Sequence, residues 1–373
     1  MKKIYVLGTG RVGRAIAIDL CREYNVSVAD YLDENLDRLS SHPIKKIKSD
    51  LREADSIERL IVDADLVIGA VPGFMGFETA KRVISCKKNM VDISFFNEDM
   101  FELNDLAIRN NVTAVMDCGV APGMDNIILG YHNKRMKVNS FECLVGGLPV
   151  RREWPYEYKA PFSPIDVIAE YTRPARIMRE GSVVTLPALS EAEIIVFPEI
   201  GKLEAFNTDG LRSLLHTMKI PNMTERTLRY PGHIDIMKIL RETGYFREDE
   251  IEVKGKNLRP IDLTAELLFP MWKLEDGEEE FTVMRVTIKG EEKGKSKKYV
   301  YDLLDRYDKA SQTSSMARTT GYTCTAAARL VLNNTYTKKG ISPPEYLGES
   351  EECFRFLMEQ MKIKNIKYSI ESF

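Results

Sequence analysis

The N-terminal segment contains the feature that most restricts the fold of this chain. A short apolar run, Ile4 to Leu7, ends in the sequence GTGRVG at Gly8 to Gly13, and a stretch with helical periodicity follows. A strand, a glycine-rich turn and a helix in this order open a dinucleotide-binding βαβ unit. The first glycine allows a tight turn, the second lets the backbone approach a pyrophosphate, and the third permits close packing of the helix on the strand.

Five residues of this turn are therefore expected to border the phosphates of a dinucleotide, at the N-terminus of the helix, where free N–H groups and the helix dipole favour negative charge. They are Gly8, Gly10, Arg11, Val12 and Gly13.

Asp30 stands at the end of the next predicted strand, twenty residues after Gly10. A carboxylate at this position accepts hydrogen bonds from the adenosine ribose hydroxyls and repels a 2′-phosphate. The neighbouring Tyr31 supplies no guanidinium to hold such a phosphate. We therefore expect NAD rather than NADP as the cofactor. The alternative is a glycine-rich turn followed by a solvated aspartate.

The carboxyl ends of the later strands carry further candidates, because ligands of doubly wound sheets bind at that edge. Asp50 either borders the adenine or caps a helix over residues 52–60. The sequence Ala70, Val71, Pro72 follows the fourth strand, where the proline is expected either to border the cofactor or to end the strand.

Asp92 and Ser94 follow the fifth predicted strand, near the expected position of a nicotinamide. Asp92 is a candidate catalytic acid or base. The alternative is a structural hydrogen-bond acceptor.

From Met1 to about Cys118, short apolar runs alternate with amphipathic stretches such as Val12 to Tyr24 and Met75 to Ser85. This alternation predicts an α/β fold with a doubly wound, Rossmann-type dinucleotide-binding domain. The six expected strands are Ile4–Leu7, Val26–Ala29, Ile44–Ile47, Leu66–Val71, Met90–Ile93 and Val112–Met116.

The pattern changes after Gly123 to strand pairs joined by glycine-containing or charged turns, which indicates a second, α+β domain. The charged run GEEKGKSKK, from Gly290 to Lys298, is expected to be a solvated loop. Helices are expected at Thr323 to Leu332 and near Glu351 to Met361, before a short strand-like tail.

Composition excludes several classes of protein. The net charge of −3 provides no field to attract a nucleic acid, and no run of 18 apolar residues is present to span a membrane. Only four apolar residues follow the N-terminal lysines, too few for a signal-peptide core, so a cytoplasmic location is expected. The six cysteines form no ligand pattern, and we expect reduced thiols and no metal.

One run near the middle of the chain narrows the class. The sequence GVAPGMDN, from Gly119 to Asn126, resembles the turn that leads from the dinucleotide domain into the substrate domain in the saccharopine dehydrogenase-like superfamily. Further segments are similar to L-lysine 6-dehydrogenases. They are Tyr158–Arg176, Phe206–Thr217, Thr227–Phe246 and Arg318–Thr323.

This resemblance implies NAD-dependent oxidative deamination of the ε-amino group of L-lysine. The product would be 2-aminoadipate 6-semialdehyde, which cyclises to piperideine-6-carboxylate, with release of ammonia and NADH. It also implies a substrate domain built on a mixed sheet, a homodimer formed through that domain, and a C-terminal segment that packs back on the first domain. The expected bounds are 1–122, 123–315 and 316–373.

Two residues depart from the lysine 6-dehydrogenase pattern. Asp125 stands where a small hydroxyl residue is expected and is closer to the saccharopine reductase side of the superfamily. His216 replaces an expected acidic residue. Both departures bear on which substrate is bound more than on the type of reaction.

Amine oxidation requires a neutral nitrogen, so the second domain must supply a base with a pKa near the operating pH. His233, in a Pro-Gly-His turn that begins a predicted helix, is the first candidate, and a structural histidine is the alternative.

An amino-acid substrate also carries an α-carboxylate, which arginine can bind through two hydrogen bonds. Arg173, flanked by Thr172, and Arg212 are the candidates, with surface ion pairs as the alternative. Lys159 is expected either to contact substrate or cofactor or to be solvated.

Two other functions remain open. One is a reductase that joins an aldehyde to an amine, as in saccharopine or carboxynorspermidine formation. The other is a dinucleotide-binding regulator without turnover.

Overall fold

A computed structural model describes residues 1–373, which form two units that each combine two segments of the chain. The first unit comprises Met1–Lys137 and Met316–Lys367, and the second comprises Val138–Ser315 and Tyr368–Phe373. The chain therefore leaves the first unit after Lys137, returns to it at Met316, and ends in the second unit.

The chain contains 18 strands and 13 α-helices, together with one 3₁₀ turn at Met100–Leu103. The strands are β1 Lys3–Leu7, β2 Asn25–Asp30, β3 Lys45–Lys48, β4 Leu66–Gly69, β5 Met90–Asp92, β6 Thr113–Val115, β7 Lys137–Pro149, β8 Ala175–Arg179, β9 Ser182–Leu186, β10 Glu193–Phe197, β11 Gly201–Asn207, β12 Asn222–Arg229, β13 Ile251–Val253, β14 Lys256–Leu258, β15 Glu280–Glu292, β16 Lys295–Arg306, β17 Gly340–Ser342 and β18 Tyr368–Ser372. The helices are α1 Arg11–Leu20, α2 Asp33–Asp37, α3 Ser56–Leu60, α4 Gly73–Ser85, α5 Asn104–Arg109, α6 Met124–Asn133, α7 Pro164–Thr172, α8 Leu214–Thr217, α9 His233–Glu242, α10 Pro260–Trp272, α11 Ser315–Leu332, α12 Pro344–Glu349 and α13 Glu351–Ile363. No helix combines the length and the apolar character that crossing a bilayer demands.

The first unit is built on a seven-stranded sheet in the order β17-β6-β5-β4-β1-β2-β3. Every pair in it is parallel. All four residues of β4 are buried, as the central position of this strand requires. The doubly wound fold and its six strands are confirmed, and β17 is a seventh strand that the sequence analysis did not predict.

The second unit is built on a mixed sheet in the order β10-β11-β12-β7-β15-β16-β18, with the β8–β9 hairpin attached to β12. The β7–β12 pair is parallel, whereas β10–β11, β11–β12, β15–β16 and β16–β18 are antiparallel. The mixed sheet implied by the resemblance is therefore present. Residues of α7, α9 and α10, together with Phe206 of β11, form an apolar core that includes Tyr171 and Trp272.

The observed division differs from the expected bounds in two places. Helix α6 belongs to the first unit, so the boundary expected after residue 122 lies one helix too early. Its backbone packs directly on α12, since a Cβ atom at Gly130 would lie 2.1 Å from the carbonyl oxygen of Glu345. The last six residues join the second unit, because β18 pairs with β16.

The charged run at Gly290 to Lys298 is not a loop, and that expectation was wrong. Strand β15 continues to Glu292 and β16 begins at Lys295, which leaves a two-residue turn. Both turn residues, Lys293 and Gly294, have positive φ angles, 52° and 76°. This geometry matches the twist of an antiparallel hairpin, so the turn extends the ladder through the charged residues.

A buried charge network ties the returning segment to the first unit. Arg329 of α11 donates to Asp19 of α1 at 2.9 Å, and its side chain is only 6% exposed. The same guanidinium contacts Glu23 at 2.6 Å, and the ammonium of Lys364 pairs with Asp19. The charges therefore hold α1, α11 and the end of α13 together.

Candidate functional site

The glycine-rich turn of the first unit excludes side chains at two of its three glycines. Gly8 has a φ of 94°, and a Cβ atom there would lie 2.4 Å from the carbonyl oxygen of Ala70. A Cβ atom at Gly13 would lie 2.1 Å from the carbonyl oxygen of Gly8. These contacts bring α1 directly against the strand ends, as the sequence pattern predicts.

Gly10 differs from the other two glycines. It has a negative φ of −58°, and no atom lies within 4 Å of the position that a Cβ atom would occupy. Gly10 is the N-cap of α1 and has no side chain to accept from the first-turn N–H groups of Arg11 and Val12. The free space beside a helix N-terminus fits the pyrophosphate of a dinucleotide.

Asp30 is buried, with 7% exposure, so the solvated alternative was wrong. Its Oδ2 accepts from the N–H and the hydroxyl of Thr9, both at 2.8 Å, and from Asn35 at 3.2 Å. Its Oδ1 accepts from the N–H of Leu32 at 3.0 Å. The carboxylate therefore fixes the glycine turn, and Oδ1 keeps an acceptor position that a ribose hydroxyl can use.

Asp50 binds Arg52 rather than capping a helix, because α3 begins only at Ser56. Its two oxygens accept from the Arg52 guanidinium at 2.6 to 3.1 Å, and Oδ1 also accepts from the Arg52 N–H. These hydrogen bonds lower the pKa of Asp50 to about 2. They place the guanidinium 5.6 Å from the ring centre of Tyr31. Contact between Asp50 and an adenine stays a prediction.

The segment after β4 presents backbone groups rather than functional side chains. The carbonyl of Ala70 packs against Gly8, and Val71 is buried at 7% exposure. Pro72 is the N-cap residue of α4, and the strand itself ends at Gly69.

Asp92 is fully buried and faces its own turn. Its Oδ1 accepts from the N–H of Ser94 at 2.8 Å, and its Oδ2 accepts from the Ser94 hydroxyl at 3.3 Å. The same carboxylate packs on β4, where a Cβ atom at Gly69 would lie 1.8 Å from Oδ2. This arrangement supports the structural alternative for Asp92.

The second unit contains a buried set of polar and aromatic side chains that we call the Arg229 cluster. It consists of Tyr158, Glu170, Tyr171, Arg229, His233 and Trp272, contributed by α7, β12, α9, α10 and the segment before α7. Arg229, at the end of β12, is 2% exposed. Its guanidinium donates to the Tyr171 hydroxyl at 3.0 Å and to Glu170 at 2.5 Å, and it lies 4.5 Å from the ring centre of Tyr158.

His233 is the first residue of α9 and uses both ring nitrogens inside this cluster. Nδ1 lies 2.8 Å from the carbonyl oxygen of Tyr156, which only accepts, so Nδ1 carries the proton and donates. Nε2 therefore accepts from the Tyr171 hydroxyl at 2.9 Å. Burial, together with the charge of Arg229, lowers the pKa of His233 to about 3. These contacts support the structural alternative for His233.

Of the two candidate arginines, Arg212 lies close enough to Arg173 to lower the pKa of Arg173. Arg173 follows the last residue of α7, and Arg212 lies in a turn with a φ of 43° and is 7% exposed. Burial and the positive charge of Arg212 both lower the pKa of Arg173, and the carboxylate of Asp209 opposes this shift. The second unit therefore concentrates positive charge in a partly desolvated place.

Two other candidates are held by local contacts. The Lys159 ammonium lies 3.5 Å from Glu153, and its side chain is only 14% exposed, so it is not a freely solvated lysine. The Thr172 hydroxyl donates to the carbonyl oxygen of Ile168 in its own helix at 3.1 Å.

The two departures from the lysine 6-dehydrogenase pattern lie in different surroundings. Asp125 is fully buried, and its Oδ1 accepts from the N–H of Gly123 at 3.0 Å, so the carboxylate fixes the turn before α6. His216 lies in the short helix α8 and is exposed.

Four residues of the cluster were not among the candidates predicted from the sequence: Glu170, Tyr171, Arg229 and Trp272. The first three lie inside motif segments named above, where a charged residue within an apolar, motif-rich stretch was an available signal. Trp272 carried no such signal, because an isolated tryptophan is usually part of a core.

The fold and the glycine turn define a nicotinamide-dinucleotide oxidoreductase. Two family models match the chain, the saccharopine dehydrogenase NADP binding domain at residues 4–115 and the saccharopine dehydrogenase C-terminal domain at residues 119–366. The chain therefore belongs to the saccharopine dehydrogenase family.

Curated relatives agree with this family. The chain is 24% identical over 271 residues to saccharopine dehydrogenase [NADP(+), L-glutamate-forming] of Saccharomyces cerevisiae, which covers 68% of this chain and 61% of the yeast protein. It is 20% identical over 371 residues to carboxyaminopropylagmatine dehydrogenase of Synechocystis, with 91% and 92% covered. The chain is 25% identical over 232 residues to α-aminoadipic semialdehyde synthase of Arabidopsis thaliana, which covers 58% of this chain. The chain therefore spans only part of these relatives, 61% of the yeast protein and 22% of the Arabidopsis protein.

Solved structures share the fold. The apo saccharopine dehydrogenase of Saccharomyces cerevisiae superposes with a TM-score of 0.79 at 21% identity, over 100% of both chains. A homospermidine synthase from Legionella pneumophila, in complex with NAD, gives a TM-score of 0.70 at 12% identity, over 100% of this chain and 91% of that one.

The Gly10→Ala variant is expected to fold normally but to bind the dinucleotide at least about tenfold more weakly, which corresponds to about 1.4 kcal/mol. The added methyl group meets no protein atom and occupies the space that we assign to the pyrophosphate. Isothermal titration with NAD and a thermal melt measure the two effects. Gly13→Ala is the matched control, since its methyl group clashes with backbone and should lower the melting temperature. Unchanged affinity in Gly10→Ala would remove this turn from the cofactor site.

His233 should make the stability of the second unit depend on pH between about 3 and 6.5. Its folded pKa of about 3 lies below the ordinary value of 6.5, so the unfolded chain binds more protons in this range. The free energy of unfolding should therefore rise with pH, by up to about 1.4 kcal/mol per unit. Urea titrations of wild type and His233→Gln measure this slope, which the variant should lose. An equal slope in both proteins would contradict a neutral His233.

Proposed function

We propose that this chain catalyses the NAD-dependent oxidative deamination of the ε-amino group of L-lysine to 2-aminoadipate 6-semialdehyde. The neighbouring arginines of the second unit, Arg173 and Arg212, carry this proposal together with the resemblance of their segments to L-lysine 6-dehydrogenases. The family and the dinucleotide fold support the coarser statement, a dehydrogenase. The choice of substrate is our inference.

Two guanidinium groups that repel each other in a partly desolvated place are stabilised when an anion binds. Burial and the charge of Arg212 lower the pKa of Arg173 in this way. An α-carboxylate is the anionic group that an amino-acid substrate presents, and guanidinium groups bind it through paired hydrogen bonds. A third arginine of this region, Arg176, binds Asp209 through Nε at 2.9 Å and Nη2 at 2.8 Å.

The preference for NAD rests on the charges beside the ribose-binding position. Asp30 ends β2 with an available acceptor position on Oδ1, and a carboxylate there repels a 2′-phosphate. Two basic side chains near the end of β2 are paired: Lys48, opposite Asp30 in the sheet, binds Asp33, and Arg52 binds Asp50. A 2′-phosphate would therefore need these pairs to break.

The bound cofactor supplies the hydride acceptor for the carbon that carries the amine. The protein must hold the substrate carboxylate, remove a proton from the substrate ammonium and admit water to the resulting imine. In this proposal Arg173 and Arg212 hold the carboxylate. The glycine turn and Asp30 hold the cofactor.

A second candidate function is a reductase that joins an aldehyde to an amine. The names of two relatives, saccharopine dehydrogenase and carboxyaminopropylagmatine dehydrogenase, favour it, and the latter is covered over 92% of its length. The buried Asp125, typical of the saccharopine reductase side, is a further observation in its favour.

Absorbance of NADH decides between these functions. Purified protein mixed with NAD and L-lysine should form NADH and release ammonia in equal amounts, whereas ornithine and NADP should give much slower reactions. Two further reactions are compared. Saccharopine is tested with NAD, and the aldehyde product is tested with an added amine and NADH. Turnover of saccharopine without turnover of lysine would overturn the proposed substrate and favour the reductase.

Arg212→Asn should raise KM for L-lysine by about tenfold or more, as loss of a charged hydrogen bond to carboxylate costs about 1.5–3 kcal/mol. Asparagine tolerates the left-handed backbone at this position better than alanine does. Affinity for NAD should not change, because the residue belongs to the second unit. Arg179→Ala, a half-exposed arginine paired with Glu191, is the matched control. An unaltered KM in Arg212→Asn would return this residue to a structural role.

A further inference from the structure

Glu170 is the one carboxylate in the Arg229 cluster, and it lies in the last turn of α7. Its Oε2 accepts from the Arg229 guanidinium at 2.5 Å. Its side chain is 21% exposed, whereas that of Arg229 is 3% exposed. The pair thus joins a buried guanidinium to a carboxylate that reaches the surface of the second unit.

The other oxygen, Oε1, accepts no hydrogen bond from the protein, since Arg229 is the only partner of this carboxylate. It is also absent from the buried polar atoms that lack a partner, so it is not fully enclosed. An ionised carboxylate oxygen in this state can accept a hydrogen bond from a ligand.

Arg229 cannot follow Glu170 if the carboxylate moves, because its other nitrogens are engaged. Nε donates to Tyr171 at 3.0 Å, and Nη1 donates to the carbonyl oxygen of Leu228 at 3.0 Å. Tyr171 in turn donates to His233. The cluster therefore fixes Oε2 and leaves Oε1 available.

We propose that Glu170 is the base that removes a proton from the substrate ammonium, and that Arg229 is the residue that positions it. This inference rests on the proposed function, because it requires an amine substrate. It assigns a role that His233 cannot fill, since both nitrogens of that ring are occupied.

In the first step a proton passes from the substrate ammonium to the Glu170 carboxylate. One N–H bond of the substrate ammonium breaks, its electron pair stays on nitrogen, and an O–H bond forms at Oε1 of Glu170. A bound nicotinamide would accept the hydride of the adjacent carbon, and this electron pair would then form the C=N bond. Water hydrolyses the imine to the aldehyde and ammonia.

The charges around Glu170 suit a base. Burial raises its pKa above the ordinary value of 4.5, and the Asp166 carboxylate, one turn earlier on α7, raises it further. Arg229 of β12 and Arg173 beyond the helix end lower it, and the net direction is upward. Tyr158, which also faces the group, is a neutral phenol whose own pKa burial raises. A raised pKa makes the carboxylate a stronger proton acceptor.

The test is the pH dependence of kcat/KM for L-lysine in wild type, Glu170→Gln and Asp166→Asn. Wild type should lose activity as pH falls through the pKa of Glu170. Glu170→Gln should reduce kcat by about 10²–10⁴-fold and abolish this acidic limb. Asp166→Asn, the matched control on the same helix, should reduce the rate far less than Glu170→Gln does and move the limb to lower pH, because the charge that raises the pKa of Glu170 is gone.

Rescue separates chemistry from structure. In Glu170→Ala, added formate should restore part of the activity in proportion to its concentration, since a free carboxylate can take the proton. Circular dichroism and affinity for NAD verify that the variants fold. If the glutamine variant does not fold, Glu170→Asp replaces it and should retain the limb at a reduced rate.

The outcomes are distinct. Wild type that does not oxidise lysine overturns the proposed function and this inference together. Two results with an active wild type would overturn only the assignment of Glu170. One is a folded Glu170→Gln variant with an unchanged acidic limb. The other is a Glu170→Asp variant with full activity and no limb. If formate does not rescue Glu170→Ala, and Glu170→Gln keeps the acidic limb at a low rate, Glu170 has a structural role.

Discussion

A guanidinium that folding removes from water costs free energy unless it is paired, and each unit of this protein contains a buried arginine that binds a carboxylate of another element. In the first unit Arg329 binds Asp19 and Glu23, which joins the returning C-terminal segment to α1. In the second unit Arg229 binds Glu170, which joins β12 to α7. An unpaired charge in either place would cost several kcal/mol. These pairs therefore select one arrangement of the elements that carry them.

The two pairs have different consequences because their surroundings differ. Asp19 is fully engaged by Arg329 and Lys364 and is 2% exposed, which suits a structural role. Glu170 has one engaged oxygen and one available oxygen, which suits chemistry. Aromatic rings fill the space around Arg229 and exclude water, so each remaining electrostatic interaction is stronger than at an open surface.

Much of the first unit could be predicted, since its signals are local. Glycine spacing, strand periodicity and the acid at Asp30 all act within a few residues or across one βαβ repeat, and six of seven strands were found. The three-residue strand β17 was missed, because its pairing with β6 depends on chain more than 200 residues away. The turn at Lys293 was predicted to be too long, because the charged run from Gly290 to Lys298 was expected to form a loop, whereas the turn geometry continues the ladder up to Lys293.

The sequence by itself determined the dinucleotide-binding fold, the motif segments and the candidate arginines, because these depend on residue type and local spacing. Only the tertiary structure decided which titratable group is available. His233 and Asp92 are suitable by residue type, but their polar atoms are engaged within their own surroundings. Glu170 gained its place only when α7 and β12 came together, since burial and partners are set by residues distant in sequence.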